Sequence, residues 1–140
     1  MSTGSDVFDN TIQKTNELLN QIEEKLGWEN RRNQSYLALR VVLHALRDRL
    51  MAEDAVHFSA QLPLLLKGIF FDGWQLAAVP IKMNREEFVN RVAGEFKLDV
   101  EGGIETVISV VLNAIFDIVD PAEKIKITEA LPNDIVMLFY

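Results

Sequence analysis

Residues 104–119 read IETVISVVLNAIFDIV, and their only charged side chains are Glu105 and Asp117. The stretch is too short, and too often interrupted by polar residues, for a membrane span, which needs about 20 apolar residues. A helix that is apolar nearly all round must instead be buried on several sides. We therefore predict that this helix lies in the middle of the fold, with a subunit interface as the alternative.

The rest of the chain also shows helical periodicity, and no segment alternates convincingly enough to predict a β-strand. An apolar stripe runs from Phe8 to Leu26, with Ser5 able to cap the start of its helix and Gly27 suited to the end. A second helix is predicted from a cap at Ser35 to about residue 51. The later helix starts are marked near Glu53, Pro63, Asn84, Ile104, Asp120 and Pro132. The sequence thus predicts an all-α fold of about eight short helices.

The helix order occurs twice along the chain. When residues 41–71 are placed on residues 110–140, eight positions are identical, and Leu62-Pro63 falls on Leu131-Pro132. Amphipathic helices share apolar positions by chance, but a Leu-Pro at the same offset without a gap is harder to obtain that way. We predict an internal duplication into two four-helix units, at about 5–71 and 84–140, with a linker at 75–83. Each half is too small to bury much core alone, so we expect one bundle-like domain, residues 1–140, with pseudo-twofold symmetry.

The composition is that of an acidic globular protein. Of the 140 residues 49% are hydrophobic, and 14 Lys and Arg stand against 21 Asp and Glu, a formal net charge of −7. The chain is too apolar to be disordered and too acidic for general nucleic-acid binding, which depends on cationic side chains. The absence of cysteine excludes disulfides, thiol catalysis and iron–sulfur clusters. With no secretory signal and no membrane span, we expect a soluble, cytoplasmic protein.

The charge is unevenly divided along the chain. Residues 1–71 contain 8 basic and 9 acidic residues, a net charge of −1, whereas residues 72–140 contain 6 and 12, a net charge of −6. Arg31, Arg32, Arg40, Arg47 and Arg49 could form a modest basic patch on the first half. We predict that Arg40, Arg47 and Arg49 face solvent. A solvated helix face explains these arginines better than contact with nucleic acid does. Such a patch and the acidic second half could attract each other between subunits.

Two segments resemble a known family. These are ALRVVLHALRDRL at residues 38–50 and AQLPLLLKG at residues 60–68, the latter followed by FDGW at residues 71–74. Together they resemble the bacterial domain-of-unknown-function family 2267, over most of the chain. The resemblance implies an all-α bacterial protein without an assigned activity, and it supplies no catalytic, cofactor-binding or metal-binding residues. Met51 departs from the family pattern, which more usually has a small polar residue at the start of this third helix.

No catalytic constellation stands out. His44 and Asp48, and likewise Glu53 and His57, are four residues apart, so each pair can share a helix face, which is one way to build a metal site. The pairs lie on different helices and no HExxH or similar motif is present, so structural roles explain them better. Because Asp48 matches Asp117 across the repeat, we predict one structural role for both, such as holding the turn into the next helix. We predict no enzyme activity and no catalytic, cofactor or metal site.

The most unusual local feature is FFDGW at residues 70–74. In the structural interpretation, Phe70 and Trp74 close the base of the first half over the linker. In the functional interpretation the segment is an aromatic anchor for a partner, because partly exposed aromatic side chains concentrate binding energy. The interaction candidates are then Phe71, Trp74 and Gln75.

Two hypotheses about function follow. The first is a non-catalytic helical interaction or regulatory domain that binds an unknown protein partner or a second copy of itself. It depends on the apolar residues 104–119 and on the aromatic segment 70–74. The second is the binding of a small apolar ligand in a pocket between the two halves, near Val42, Leu46, Val111 and Ile115.

Overall fold

A computed structural model describes residues 2–100 and 102–140. Within these residues the chain forms eight α-helices and no β-strand, which confirms the predicted all-α fold. In chain order the helices are α1 (Asp6–Leu26), α2 (Arg32–Arg49), α3 (Ala52–Ser59), α4 (Leu64–Phe71), α5 (Arg85–Glu95), α6 (Gly103–Asp117), α7 (Pro121–Ala130) and α8 (Asn133–Val136). Short 3-10 turns follow α4 at Leu76–Ala78 and α8 at Met137–Phe139. None of the described helices is long and apolar enough to cross a membrane.

Several predicted helix ends agree with the structure because local side-chain chemistry sets them. The Ser5 hydroxyl accepts a hydrogen bond from the Phe8 amide at the start of α1, and Gly27 ends α1 in the left-handed region, with φ 69°. Asn84 and Glu87 form a reciprocal capping box at the start of α5. Such caps satisfy amide groups that the helix itself leaves without partners.

The predicted start of α2 at Ser35 is wrong. The helix begins at Arg32, and Ser35 is buried within it. The Ser35 hydroxyl donates to the Glu23 carboxylate of α1 at 2.5 Å. Ser35 therefore joins two helices and does not cap one, and the local pattern does not distinguish these roles.

The apolar helix α6 lies at the centre of the fold, as predicted. It packs against α1, α2 and α5 and against the 3-10 turn at the C-terminus. Its side chains Val107, Ile108, Val111, Leu112 and Ile115 have no exposed surface. The chain's own elements thus cover this helix, which confirms the core interpretation over the interface alternative.

Aromatic rings link the two predicted halves through one core. The Phe58 ring of α3 has its centroid 5.5 Å from that of Phe70 in α4 and 5.8 Å from that of Phe116 in α6. The Phe116 ring in turn lies 4.9 Å from that of Phe139. Aromatic pairs at these distances attract each other beyond the effect of burial, so these contacts join the two predicted halves in one core.

The predicted duplication remains a prediction, although one pair of matched positions makes similar contacts. His44 Nε2 lies 2.7 Å from the carbonyl oxygen of Ile69. Its counterpart Asn113 donates from Nδ2 to the carbonyl oxygen of Phe139 at 2.9 Å. In both cases a polar side chain of a long helix bonds to backbone at the end of a later segment.

The single role predicted for Asp48 and Asp117 is wrong. Asp48 is buried and accepts a hydrogen bond from Arg47 at 2.7 Å. Asp117 is exposed and accepts one from Gln21 of α1 at 3.0 Å. The two environments differ because the position that matches Arg47 is occupied by Phe116, which cannot compensate a buried carboxylate.

Candidate functional site

Buried polar side chains of α2 bind the C-terminal end of α4. His44 Nε2 donates to the carbonyl oxygen of Ile69 at 2.7 Å. Arg47 Nη1 donates to the carbonyl oxygens of Phe70, at 3.0 Å, and Asp72, at 2.9 Å. The last carbonyl groups of a helix have no partner within it, and a cation is favourable at that end. These residues therefore cap α4 from a neighbouring helix, which is a structural role.

The prediction that Arg40, Arg47 and Arg49 face solvent is wrong for Arg47, which is 4% exposed. Its guanidinium donates to both oxygens of Asp48, at 2.7 and 3.1 Å, and Arg91 of α5 binds the same carboxylate. Burial alone would raise the pKa of Asp48, but the hydrogen bonds from the two arginines outweigh it and lower that pKa. Arg40 and Arg49 are partly exposed.

The two His–carboxylate pairs considered as metal ligands bind other partners. His44 bonds to the Ile69 carbonyl group, and His57 Nδ1 lies 2.7 Å from a carboxylate oxygen of Glu123 of α7. Across residues 2–100 and 102–140, no three His, Asp or Glu side chains are grouped so that they could bind a metal ion. The four-residue spacing places the two members of each pair on one face of a helix. Contacts with other helices nevertheless determine which groups the histidines bind.

The buried His44 should make the fold less stable as the pH falls. Burial lowers the pKa of His44, the Ile69 carbonyl group opposes this, and the charges of Arg47 and Arg40 lower it further. The unfolded chain then takes up a proton near pH 6.5, its ordinary pKa, that the folded chain does not take up. The free energy of unfolding should therefore decrease as the pH falls below about 6.5.

We expect His44→Gln to reduce this pH dependence, because the glutamine amide can still donate to the Ile69 carbonyl oxygen but does not titrate. The measurement is urea unfolding of both proteins between about pH 7.5 and pH 5.5. An equally steep loss of stability in the variant would contradict the assignment to His44.

The interaction candidates Phe71, Trp74 and Gln75 lie at and after the end of α4. The Phe71 and Trp74 rings are partly buried against the core, with centroids 5.0 Å apart, whereas Gln75 is exposed. The Trp74 Nε1 atom is buried, and no residue that the structure describes accepts a hydrogen bond from it. The partial burial of Phe71 and Trp74 agrees with the structural interpretation of the segment. Their remaining exposure also allows the functional interpretation, in which they contact a partner.

The pocket predicted between the halves would be lined by Val42, Leu46, Val111 and Ile115. All four are fully buried members of the hydrophobic core. None of them lines the groove described next, and a ligand pocket between the halves remains a prediction.

An apolar groove lies between α1, α2 and α4. It has a volume of about 510 Å³, and its exposed hydrophobic side chains are Phe8, Ile12, Tyr36, Leu64 and Leu65. These are five of the fifteen large hydrophobic residues that are exposed in the described chain. Single exposed hydrophobic residues are ordinary, but their concentration at one place indicates a binding surface. We call this the α1–α4 groove.

Polar groups frame the α1–α4 groove at two points. Arg40 Nη2 donates to the Asp72 carboxylate at 2.8 Å, and this guanidinium lowers the pKa of Asp72. The buried Thr11 accepts a hydrogen bond from the Leu65 amide at 2.7 Å, which caps the first turn of α4 from α1. Among the described residues that line the groove, Arg40 and Asp72 alone are charged, and their charges cancel.

Sequence reasoning missed the α1–α4 groove, although one signal was present. In the run Leu64-Leu65-Leu66 only Leu66 is buried, because one face of a short helix cannot bury three consecutive side chains. Phe8 and Ile12 belonged to the predicted inner stripe of α1, yet both are exposed in the groove.

Comparison with known proteins identifies a family. Residues 15–138 match the model of a family described as an uncharacterized conserved protein, DUF2267. No curated protein matches the chain. The family match covers most of the chain, from the middle of α1 to the C-terminal turn, and includes both segments that carried the sequence resemblance. The chain therefore belongs to the DUF2267 family.

Proposed function

We propose that this chain is a non-catalytic helical interaction domain, and that it binds a second copy of itself through the α1–α4 groove. The observation that carries the proposal is the concentration of exposed hydrophobic side chains in one groove of about 510 Å³. Covering them removes apolar surface from water, which contributes about 25 cal/mol per Å².

The division of charge favours self-association at this surface. The groove is lined only by residues between Phe8 and Asp72. Residues 1–71 have a net charge of −1, against −6 for residues 72–140. Two copies docked groove to groove bring their nearly neutral halves together, whereas contact through the second halves would bring like charges together.

A twofold contact requires one surface that supplies both projecting and receiving parts. Phe8 and Ile12 of α1 supply the projecting side chains. On the α4 side, Gly68 lines the groove, and a Cβ atom built on it would have no neighbour within 4 Å. This open space can receive a large side chain from the second copy.

The variant Leu64→Glu should weaken self-association by at least about tenfold, because a carboxylate would lose its hydration in an apolar contact. Leu64 is 55% exposed at the first position of α4, where an acidic residue suits the helix, so the monomer should remain folded. The measurement is sedimentation equilibrium over a range of protein concentrations.

The matched control is Leu76→Glu, which changes a leucine that is 60% exposed and lies outside the groove, close in sequence to Trp74. We expect it to leave self-association unchanged. A larger effect of Leu76→Glu than of Leu64→Glu would move the interface to the aromatic segment with Phe71, Trp74 and Gln75. A wild-type chain that stays monomeric at about 100 μM would refute the proposal.

The alternative is a small apolar ligand bound in the same groove. The groove's volume of about 510 Å³ falls within the range of small-molecule sites, roughly 300–1,000 Å³. A monomer that retains additional mass in native mass spectrometry, and loses it on Leu64→Glu, would support this alternative.

We infer a cytoplasmic, bacterial protein with no cofactor and no role in nucleic-acid binding. The family resemblance supports the bacterial origin. The net charge of −7 supports the exclusion of nucleic acid, since phosphate binding depends on cationic side chains.

A further inference from the structure

A buried carboxylate lies between α3 and α7, outside the α1–α4 groove. Glu123 belongs to the first turn of α7 and is 4% exposed. One of its oxygens lies 2.7 Å from Nδ1 of His57, on α3. The other oxygen is buried and has no hydrogen-bond partner among residues 2–100 and 102–140. An acceptor buried without a donor is costly, and more so when it carries charge.

Glu123 lines a surface groove in which negative charge exceeds positive charge. The groove has a volume of about 400 Å³, and its titratable lining residues are His57, Asp120, Glu123, Lys126 and Glu129. Three carboxylates therefore share the groove with one lysine. We call it the Glu123 groove.

We propose that the Glu123 groove binds a primary ammonium group, which donates a hydrogen bond to the unpaired Glu123 oxygen. An ammonium group is a compact cation with three donors, so it suits one free acceptor with further carboxylates nearby. A guanidinium pairs best with both oxygens of a carboxylate, whereas only one Glu123 oxygen is without a close neighbour, since His57 Nδ1 lies 2.7 Å from the other. A metal ion is disfavoured because no three His, Asp or Glu side chains of the described residues are suitably grouped.

His57 is the exposed neighbour of the buried Glu123 carboxylate. The unpaired Glu123 oxygen has almost no exposed surface, whereas the His57 side chain is 56% exposed. Exposed side chains change rotamer within picoseconds to nanoseconds. Rotation of the His57 ring into solvent gives an ammonium group room beside the carboxylate, where it donates to the oxygen that has no partner.

The first test compares methylammonium with tetramethylammonium at equal ionic strength, by NMR titration of the ¹⁵N-labelled chain. Both cations have the same charge, but only methylammonium has N–H donors. We expect saturable shifts of the amides of residues 122–126 and of the His57 ring with methylammonium alone. Equal shifts with both cations, or no saturable shift, would overturn the proposal, since the oxygen would then bond only to water or attract cations without specificity.

Variants locate the binding group. Glu123→Gln should weaken methylammonium binding by about tenfold or more, as expected for a lost hydrogen bond to a charged group. Glu129→Gln removes the same formal charge from the same groove and should weaken it by less than about threefold. Lys126→Gln should strengthen binding by about twofold, and it keeps the test informative if Glu123→Gln does not fold. Equal weakening by both glutamate variants would refute the role of the buried oxygen.

Two larger ligands distinguish the sources of the ammonium group. Putrescine represents a free polyamine, and Nα-acetyl-lysine methylamide represents a lysine side chain of a protein. Tighter binding of putrescine would assign the site to a polyamine, and tighter binding of the lysine derivative would assign it to a protein partner. If neither competes with methylammonium, the groove does not accept alkylammonium chains and the proposal fails.

Discussion

Replacing Arg47 with methionine should lower the free energy of unfolding by about 3–5 kcal/mol, the cost of removing one partner from a buried ion pair. Arg47 donates to the Asp48 carboxylate and to the carbonyl oxygens of Phe70 and Asp72, and it is almost completely buried. Methionine retains much of the aliphatic stem but leaves the carbonyl oxygens of Phe70 and Asp72 without this donor, and Arg91 alone then compensates the Asp48 carboxylate. Urea unfolding followed by circular dichroism measures the loss, and the melting temperature should fall by about 10 °C or more.

The matched control is Arg40→Met, which changes the arginine seven residues earlier on α2. Arg40 pairs with Asp72 near the same end of α4, but both side chains are partly exposed. Partly exposed ion pairs contribute less than about 1 kcal/mol, so we expect a small loss. Similar losses in the two variants would show that burial of the Arg47–Asp48 pair is not what stabilises the end of α4.

The parts of the fold that the sequence predicted are those set by neighbouring residues or by periodicity. The cap at Ser5, the capping box at Asn84 and the start of α7 after Asp120 each depend on residues within one helical turn. The central position of α6 followed from the lack of a polar face over residues 104–119. Local chemistry and composition are available in one sequence, so these features could be read from it.

The roles that the sequence missed belong to polar residues whose partners come from other helices. Ser35 resembled a cap and bonds to Glu23, and Arg47 resembled a surface residue and bonds to the end of α4. Glu123 was not among the candidate residues, and it is buried beside His57 of α3. Helical periodicity indicates which face a side chain lies on, but it does not indicate which helix covers that face.

The aromatic segment at residues 70–74 and the α1–α4 groove also show that sequence patterns do not reveal which surfaces the packed helices leave exposed. Composition drew attention to Phe71 and Trp74, because aromatic residues next to a turn are conspicuous. The α1–α4 groove was missed because the exposure of Phe8 and Leu64 depends on how α1, α2 and α4 pack together, which is a property of the folded chain.

The second large effect is expected from Ile115→Asp, which should unfold the chain. Ile115 has no exposed surface and lies in the helix that packs against α1, α2 and α5. A carboxylate there would be buried without a partner, and even when protonated it would leave a polar group unsatisfied. The expected cost is comparable with the whole stability of a domain, about 5–15 kcal/mol. Loss of the helical circular dichroism signal and of a cooperative melting transition is the measurement.

The control for this variant is Ile125→Asp, the same substitution at an exposed isoleucine of α7. It should change stability by less than about 1 kcal/mol, mainly through the lower helix propensity of aspartate. If Ile115→Asp instead folds and melts as the wild type does, part of the helix at residues 104–119 must be accessible to solvent in the monomer. That result would favour the alternative in which this helix forms a subunit interface. Ile115→Asp thus separates a helix that is buried by its own chain from one that needs a second copy to cover it. The Leu64→Glu experiment can report on the α1–α4 groove only in the first case, because in the second the association surface would include α6.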